Sequence, residues 1–175
     1  MNIKQIAKTC GGPDGAIYGN MVFDWKDYSE KYTDITEKML DEEAIKNTGC
    51  DEGFHAFYSY WTSESDTKQG ENFWCKLAFK DSDLIGVICL GLSPTKEFTI
   101  MEIIIAPDKR NQGYGSALLS ELLRNANVII GTDINIAKAV IFPKNIASQK
   151  TFEKAGFVYT GTHPDGDAWY YEYRN

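Results

Sequence analysis

The residues with the most chemical content lie between Pro107 and Ser116. Lys109 and Arg110 are followed there by Asn111-Gln112-Gly113-Tyr114-Gly115-Ser116, then by the apolar run Ala117-Leu118-Leu119. Where a polar turn opens into a helix, the first four backbone N–H groups lack intrahelical acceptors and point outward at the positive end of the helix dipole. Such a terminus holds a phosphate or pyrophosphate. Gly113 and Gly115 remove side chains that would keep an anion at a distance, while Lys109 and Arg110 add positive charge beside it. Glycines here also serve simply to start a helix. A dinucleotide-binding fingerprint is a rival reading, since Asp133 stands about twenty residues beyond Gly113. It fails because Leu118 occupies the third glycine position and too little chain follows for the rest of that fold.

Glu102 is a second carrier of chemistry, the one ionisable side chain inside the apolar run Phe98–Ala106. A carboxylate so embedded can take a proton from a substrate, directly or through water. Its plainer role is an exposed or ion-paired strand residue. Strict alternation groups Glu102 with Ile100 and Ile104, opposite Met101 and Ile103. A β-bulge reverses that parity, so its facing stays open.

Positioning these groups takes a definite order of elements. Asp34 to Lys46 reads as a helix capped by Asp34 and Glu37, and Glu52–Ser63 as a second helix. The stripe Phe54, Phe57, Tyr58 and Trp61 on the latter, with His55 beside it, suits core packing first and a pocket wall second. A short strand is expected over Ala16–Phe23. Strands are expected over Phe73–Lys80, Leu84–Leu92 and Phe98–Ala106, the first two joined by a turn at Asp81-Ser82-Asp83. A helix from Gly113 to about Asn125 follows, then a buried strand Ile136–Phe142 ended by Pro143. Asn145 caps a helix that Gly156 closes, and Phe157–Thr162 and Ala168–Tyr173 form a terminal hairpin in which Trp169, Tyr170, Tyr171 and Tyr173 pack. Helices, three strands, helix, strand, helix and two strands make an α/β layered fold, a mixed sheet flanked by helices.

At 175 residues the chain suits a single domain, 1–175. A net charge of −7 speaks against binding nucleic acid and suits a cationic partner. Four cysteines without a CxxC pair and only two histidines predict no metal site and reduced thiols. No leader-like segment and no long apolar run are present, which predicts a soluble, cytoplasmic protein with no membrane span.

Two stretches together resemble the GNAT acetyltransferase superfamily. Arg110-Asn111-Gln112-Gly113-Tyr114-Gly115 is similar to its [RQ]-x-x-G-x-[GA] signature, behind an apolar strand ending in Ile105-Ala106-Pro107. Asn145, Ala147-Ser148, Phe152 and Gly156-Phe157 resemble its second motif. The likeness covers about Phe73 to Tyr173. It implies a mostly antiparallel central sheet, a cofactor-binding core over 71–175 and a variable acceptor-side region over 1–70. It further implies acetyl-CoA as co-substrate and an amine acceptor, either a small molecule or a peptide, with a homodimer as a family-level expectation. Ile103, Ile104 and Ile105 would pair through their backbone with the pantetheine arm. Arg110, Asn111, Gln112, Gly113, Tyr114, Gly115 and Ser116 would surround the pyrophosphate, and Asn145 and Phe152 would meet the arm from the second motif. Glu102 is the candidate base, and a backbone N–H at Ile105 the candidate oxyanion donor. Phe152 departs from the tyrosine many members carry and offers no proton to a leaving thiolate, leaving Tyr114 or Tyr159 as other hydroxyls. That departure motivates an alternative, a non-catalytic acyl-CoA-binding or sensor module.

Overall fold

The computed structural model describes residues 21–63 and 72–175. Its centre is a seven-stranded sheet in the order β1-β2-β3-β4-β5-β7-β6, built from β1 (Asp24–Asp27), β2 (Phe73–Lys80), β3 (Asp83–Leu92), β4 (Phe98–Ile105), β5 (Ile136–Ile141), β6 (Val158–Thr162) and β7 (Trp169–Arg174). All neighbours are antiparallel except β4 and β5. The β2–β3 turn follows from Asp81 and Ser82, which take left-handed φ of 50° and 71°, as a tight hairpin requires.

Helices cover both faces. On one, α4 (Tyr114–Ile130) and α5 (Ile146–Lys154) bury Leu119, Leu122, Phe152 and Phe157 against Ile88, Leu90, Ile100 and Tyr171. On the other, α1 (Thr33–Glu37), α2 (Glu42–Asn47) and α3 (Phe54–Thr62) bring Met39, Ala44 and Phe54 onto Leu77, Val87, Cys89 and Ile104.

Several sequence expectations need correction. The helix expected over 34–46 is two helices, because Asp41 breaks it. Its backbone is extended, and its carboxylate accepts from the Ala44 N–H at 2.9 Å, so Asp41 rather than Asp34 is the cap. Short acidic side chains compete for backbone donors in this way and start helices more readily than they continue them. Glu37 caps a different helix from the one expected, accepting from the His55 N–H at 2.9 Å at the start of α3. α4 continues past Asn125, which kinks at φ −119°, and ends at Gly131, whose left-handed φ of 80° closes the last turn. The strand expected over 16–23 lies outside the described residues up to position 20, and 21–23 are not strand; the first strand is Asp24–Asp27. At the end of α5 the expected stop holds. The Gly156 and Phe157 N–H groups donate to the Glu153 and Phe152 carbonyls, with Gly156 at φ 96°, the closed form of a helix C-terminus.

Candidate functional site

The site begins with a break in the sheet. β4 pairs with β5 only over Phe98–Ile100, opposite Ala137–Ala139, whereas β4 stays paired with β3 to Ile105 and β5 with β7 to Ile141. The strands therefore part beyond Ile100, and the β5-side edge of 101–105 has no strand beside it. The cause is a bulge: Cys89 pairs with Glu102 and Leu90 with Ile100, leaving Met101 without a partner. An extra residue in one strand bends it and reverses side-chain parity beyond. Glu102 accordingly shares the α1–α3 face with Ile104, not with Ile100, which lies among the residues packed under α4.

The backbone of the open edge can be read from the ladder. The Ala106 N–H donates to the Ile85 carbonyl at 2.9 Å. Antiparallel strands send alternate residues' polar groups to opposite sides, so Ile104 bonds to β3 while Ile103 and Ile105 turn theirs to the open side. The Ile105 carbonyl is consistent with this, accepting from Arg110 Nε at 3.1 Å.

A cleft of about 330 Å³ runs from the start of α4 along this edge, lined by Ile103–Ile105, Arg110, Asn111, Gly113–Ser116 and Asn145. Asn111 and Gly113 both take left-handed φ, 60° and 82°, and alternate with other conformations in the turn, the kind of backbone that gathers N–H groups into a concave cradle. The first helical bond of α4 runs from Ala117 N to Gly113 O, so the N–H groups of Gly113–Ser116 precede it. Gly115 packs closely on α5: a Cβ there would lie 3.0 Å from Thr151 Cγ2, which would have to give by a few tenths of an ångström. Asn145 caps α5 by accepting from the Ser148 N–H at 3.1 Å.

The expected residues do not all meet the cleft. Gln112 turns away, its amide donating to the Asp108 carbonyl at 2.9 Å, and it does not line the space. Phe152 is 3% exposed, stacked edge-on against Phe157 at 4.9 Å, and borders only the deeper space between β4 and β5. The two basic residues read as charge for the anion are already engaged. Arg110 forms a two-pronged pair with Asp41 at 2.7 and 3.0 Å and reaches Glu43 at 3.2 Å, while Lys109 pairs with Asp83 and Asp108. Arg110 thus ties α2 to the turn, and its hydrogen bonds, with that of the Ala44 N–H, hold the Asp41 carboxyl below the usual carboxylate range. Two further cations, Lys150 and Lys154 of α5, also line the cleft. Ala147, Lys150, Thr151 and Lys154 follow i, i+3, i+4, i+7 spacing, the helical signal that would have found this face in the sequence. Glu43, Ala44, Asn47 and Thr48 form the opposite wall, likewise at helical spacing on α2 and its C-terminal end.

Beyond the cleft, two further spaces follow in series. One of about 310 Å³ fills the fork between β4 and β5 and shares Ile103, Asn145 and Ser148 with the first. The next, about 560 Å³, shares Gly49, Met101 and Glu102 with the fork and is bounded by Phe57, Tyr60 and Trp61 of α3. Glu102 stands where they join. It accepts from the Gly49 N–H at 2.7 Å, and burial pushes its carboxyl up to about 7 although that N–H pulls it down. The aromatic stripe of α3 divides between the two roles considered for it. Phe54 is core, Tyr58 packs on Tyr28 at 4.5 Å, and Phe57 and Trp61 face the cavity. His55 is bonded to the Tyr28 hydroxyl at 3.2 Å and stays out of the cavity.

A family model described as the acetyltransferase (GNAT) family matches residues 26–157. The chain belongs to this family. Solved structures with the same fold include aminoglycoside acetyltransferase AAC(6')-Ib in complex with coenzyme A and kanamycin, 17% identical over 88% of this chain and 95% of that one, with a TM-score of 0.68. Spermidine N-acetyltransferase from Vibrio cholerae, in complex with CoA and spermine, is 13% identical over 87% and 95%, with a TM-score of 0.66. The Campylobacter jejuni N-acetyltransferase PseH, in complex with acetyl coenzyme A, is 18% identical over 88% and 99%, with a TM-score of 0.61. No curated protein matches the chain significantly in sequence. In this acetyltransferase the parted strands, the glycine turn and the second motif converge on three adjoining spaces that share lining residues, and Glu102 is the ionisable group lining the middle one.

Proposed function

We propose that this acetyltransferase moves the acetyl group of acetyl-CoA onto a primary amine by direct attack on the thioester. The observation that carries the proposal is the position of Glu102 on the unpaired stretch of β4, where the fork that adjoins the donor cleft meets the acceptor cavity. A pyrophosphate fits the N–H groups of Asn111–Ser116, with Lys150 supplying charge from α5. The pantetheine arm, rich in amides, fits the open edge of Ile103–Ile105 as an added strand would. Glu102 near neutrality takes a proton from the substrate ammonium. The freed nitrogen lone pair attacks the thioester carbon, and the carbonyl oxygen becomes an oxyanion. The N–H groups of Ile103 and Ile105 both face that side, and Ile103, which also borders the fork, is the better-placed oxyanion donor. The tetrahedral intermediate then breaks its C–S bond, giving the amide and a thiolate. A thiolate with a pKa of about 8.5 leaves readily and is protonated by solvent or by the nitrogen's second proton.

The buried Phe152, which has no hydroxyl, favours one second reading, a module that binds acyl-CoA without turnover. No helix among the described residues is long and apolar enough to cross a membrane, and Cys50, Cys75 and Cys89 are free thiols. We place the protein in the cytoplasm, apart from nucleic acid given its net charge of −7. A panel of primary amines with acetyl-CoA, followed by free thiol, tests the proposal. Amine-dependent thiol release supports transfer; CoA binding with no release on any amine supports the second reading.

A further inference from the structure

The acceptor cavity has a chemistry of its own. Among the described residues that line it, Asp51, Glu52 and Glu102 are ionisable, and no lysine, arginine or histidine is present. Asp51 and Glu52 are exposed and have no ion pair or hydrogen bond to any described residue. Elsewhere on this chain carboxylates beside a cleft or strand find cations: Asp41 and Glu43 hold Arg110, Asp83 holds Lys109, Glu97 holds Lys138. Beside the unpaired pair stand aromatics. Tyr60 is 70% exposed and rests edge-on against Trp61 at 5.3 Å, while Trp61 is backed by Phe73 in a stacked pair at 6.3 Å. The backbone fixes where the pair sits relative to the reacting centre. Asp51 and Glu52 are the middle residues of a turn closed by the Gly53 N–H on the Cys50 carbonyl at 3.0 Å. Gly49, whose N–H holds Glu102, immediately precedes that turn. Asp51 therefore lies within about 7 Å of Gly49 along the chain.

We infer that the acceptor is a dication or polycation, an amine whose second ammonium group rests against Asp51 and Glu52 while its apolar spacer crosses Tyr60 and Trp61. The inference rests on the N-acetyltransferase reading and names its substrate class. The reacting amine must be neutral when it attacks, so a monoamine would cover two carboxylates without neutralising either. A second ammonium removes that cost, adds an attraction to both carboxylates, and gains from the negative faces of the aromatic rings. An acceptor with a carboxylate in that position, such as a free amino acid, is repelled.

Putrescine, pentylamine and aminovalerate separate these cases, because they share a spacer and differ in the distal group. Thiol release should give putrescine a kcat/KM about tenfold or more above that of pentylamine, from one screened ion-pair contribution and one cation–aromatic contribution. Aminovalerate should fall below pentylamine, and added salt should narrow the differences. In the Asp51→Asn/Glu52→Gln double variant the putrescine-to-pentylamine ratio should fall toward one, with CoA binding confirming that the variant is folded. Putrescine calorimetry on the CoA-loaded protein, wild type and double variant, completes the set. Equal kcat/KM for putrescine and pentylamine, or a ratio unchanged in the double variant, overturns the inference while leaving amine acetylation standing. Putrescine binding that the double variant loses, with no amine acetylated, sinks the transfer reading and keeps the dication site. Absence of both putrescine binding and a putrescine preference overturns the inference.

Discussion

Replacing Glu102 by Gln should cost activity and gain stability, and the gain should depend on pH. Burial raises the carboxyl from 4.5 to about 7 in the folded protein. A carboxyl raised on folding stabilises the fold when protonated, and that stability is lost as pH climbs from the unfolded value through the folded one. At 1.36 kcal/mol per pKa unit, the ionised carboxylate costs the wild type about 3 kcal/mol above pH 7. Water reaches part of the side chain and screens it, so about half that figure is expected. Glutamine keeps an oxygen to accept the Gly49 N–H at the 2.7 Å position and carries no charge to desolvate. Urea unfolding across a pH series from about 5.5 to 9 should show the variant's advantage growing by about 1 kcal/mol up to pH 7–8, then levelling. In thermal scans this is a divergence of about 2–4 °C. The same substitution should lower kcat/KM by about 100-fold or more and abolish the rise in rate through pH 7. A stability difference that ignores pH would refute the desolvation argument, and an unchanged pH–rate profile would remove Glu102 as the base.

Other predictions test the donor side. Gly115→Ala places a methyl 3.0 Å from Thr151 Cγ2, so it should destabilise the fold by about 1–3 kcal/mol and weaken CoA binding, read by calorimetry. A double-mutant cycle between Arg110→Ala and Asp41→Ala should give a coupling of about 1 kcal/mol in unfolding, because the two-pronged pair ties the glycine turn to α2. Coupling near zero would mean the pair is incidental. Asn145→Ala should lose about 1 kcal/mol with its cap, and Asn145→Ser should restore it. CoA affinity reduced in both variants would identify a direct contact between Asn145 and the donor; affinity restored with the serine would leave capping as its whole role.

Much of the molecule is written in local sequence. β2 begins and ends at Phe73 and Lys80, as alternation and the Asp81-Ser82 turn imply, and Gly156 and Asn145 bound α5 through the capping chemistry of those residues. Such features depend on neighbours a few positions apart, so they can be read without a fold. The glycine turn, together with the second motif, carried enough local chemistry to indicate an anion cradle and an acetyltransferase. What could not be read depended on partners distant in sequence. Asp41 starts a new helix partly because Arg110, far along the chain, holds its carboxylate, and that same contact takes Arg110's charge from the anion turn. The facing of Glu102 was undecidable because alternation predicts one side and a bulge the other; only pairing of Cys89 with Glu102 and Leu90 with Ile100 chose between them. The joining of the fork to the aromatic cavity at Glu102 is likewise a tertiary fact, set where the neighbouring central strands β4 and β5 part and α3 lies alongside. Spacing along a chain specifies what a segment can form, whereas burial, parity and charge pairing are settled only when remote segments compete for the same space.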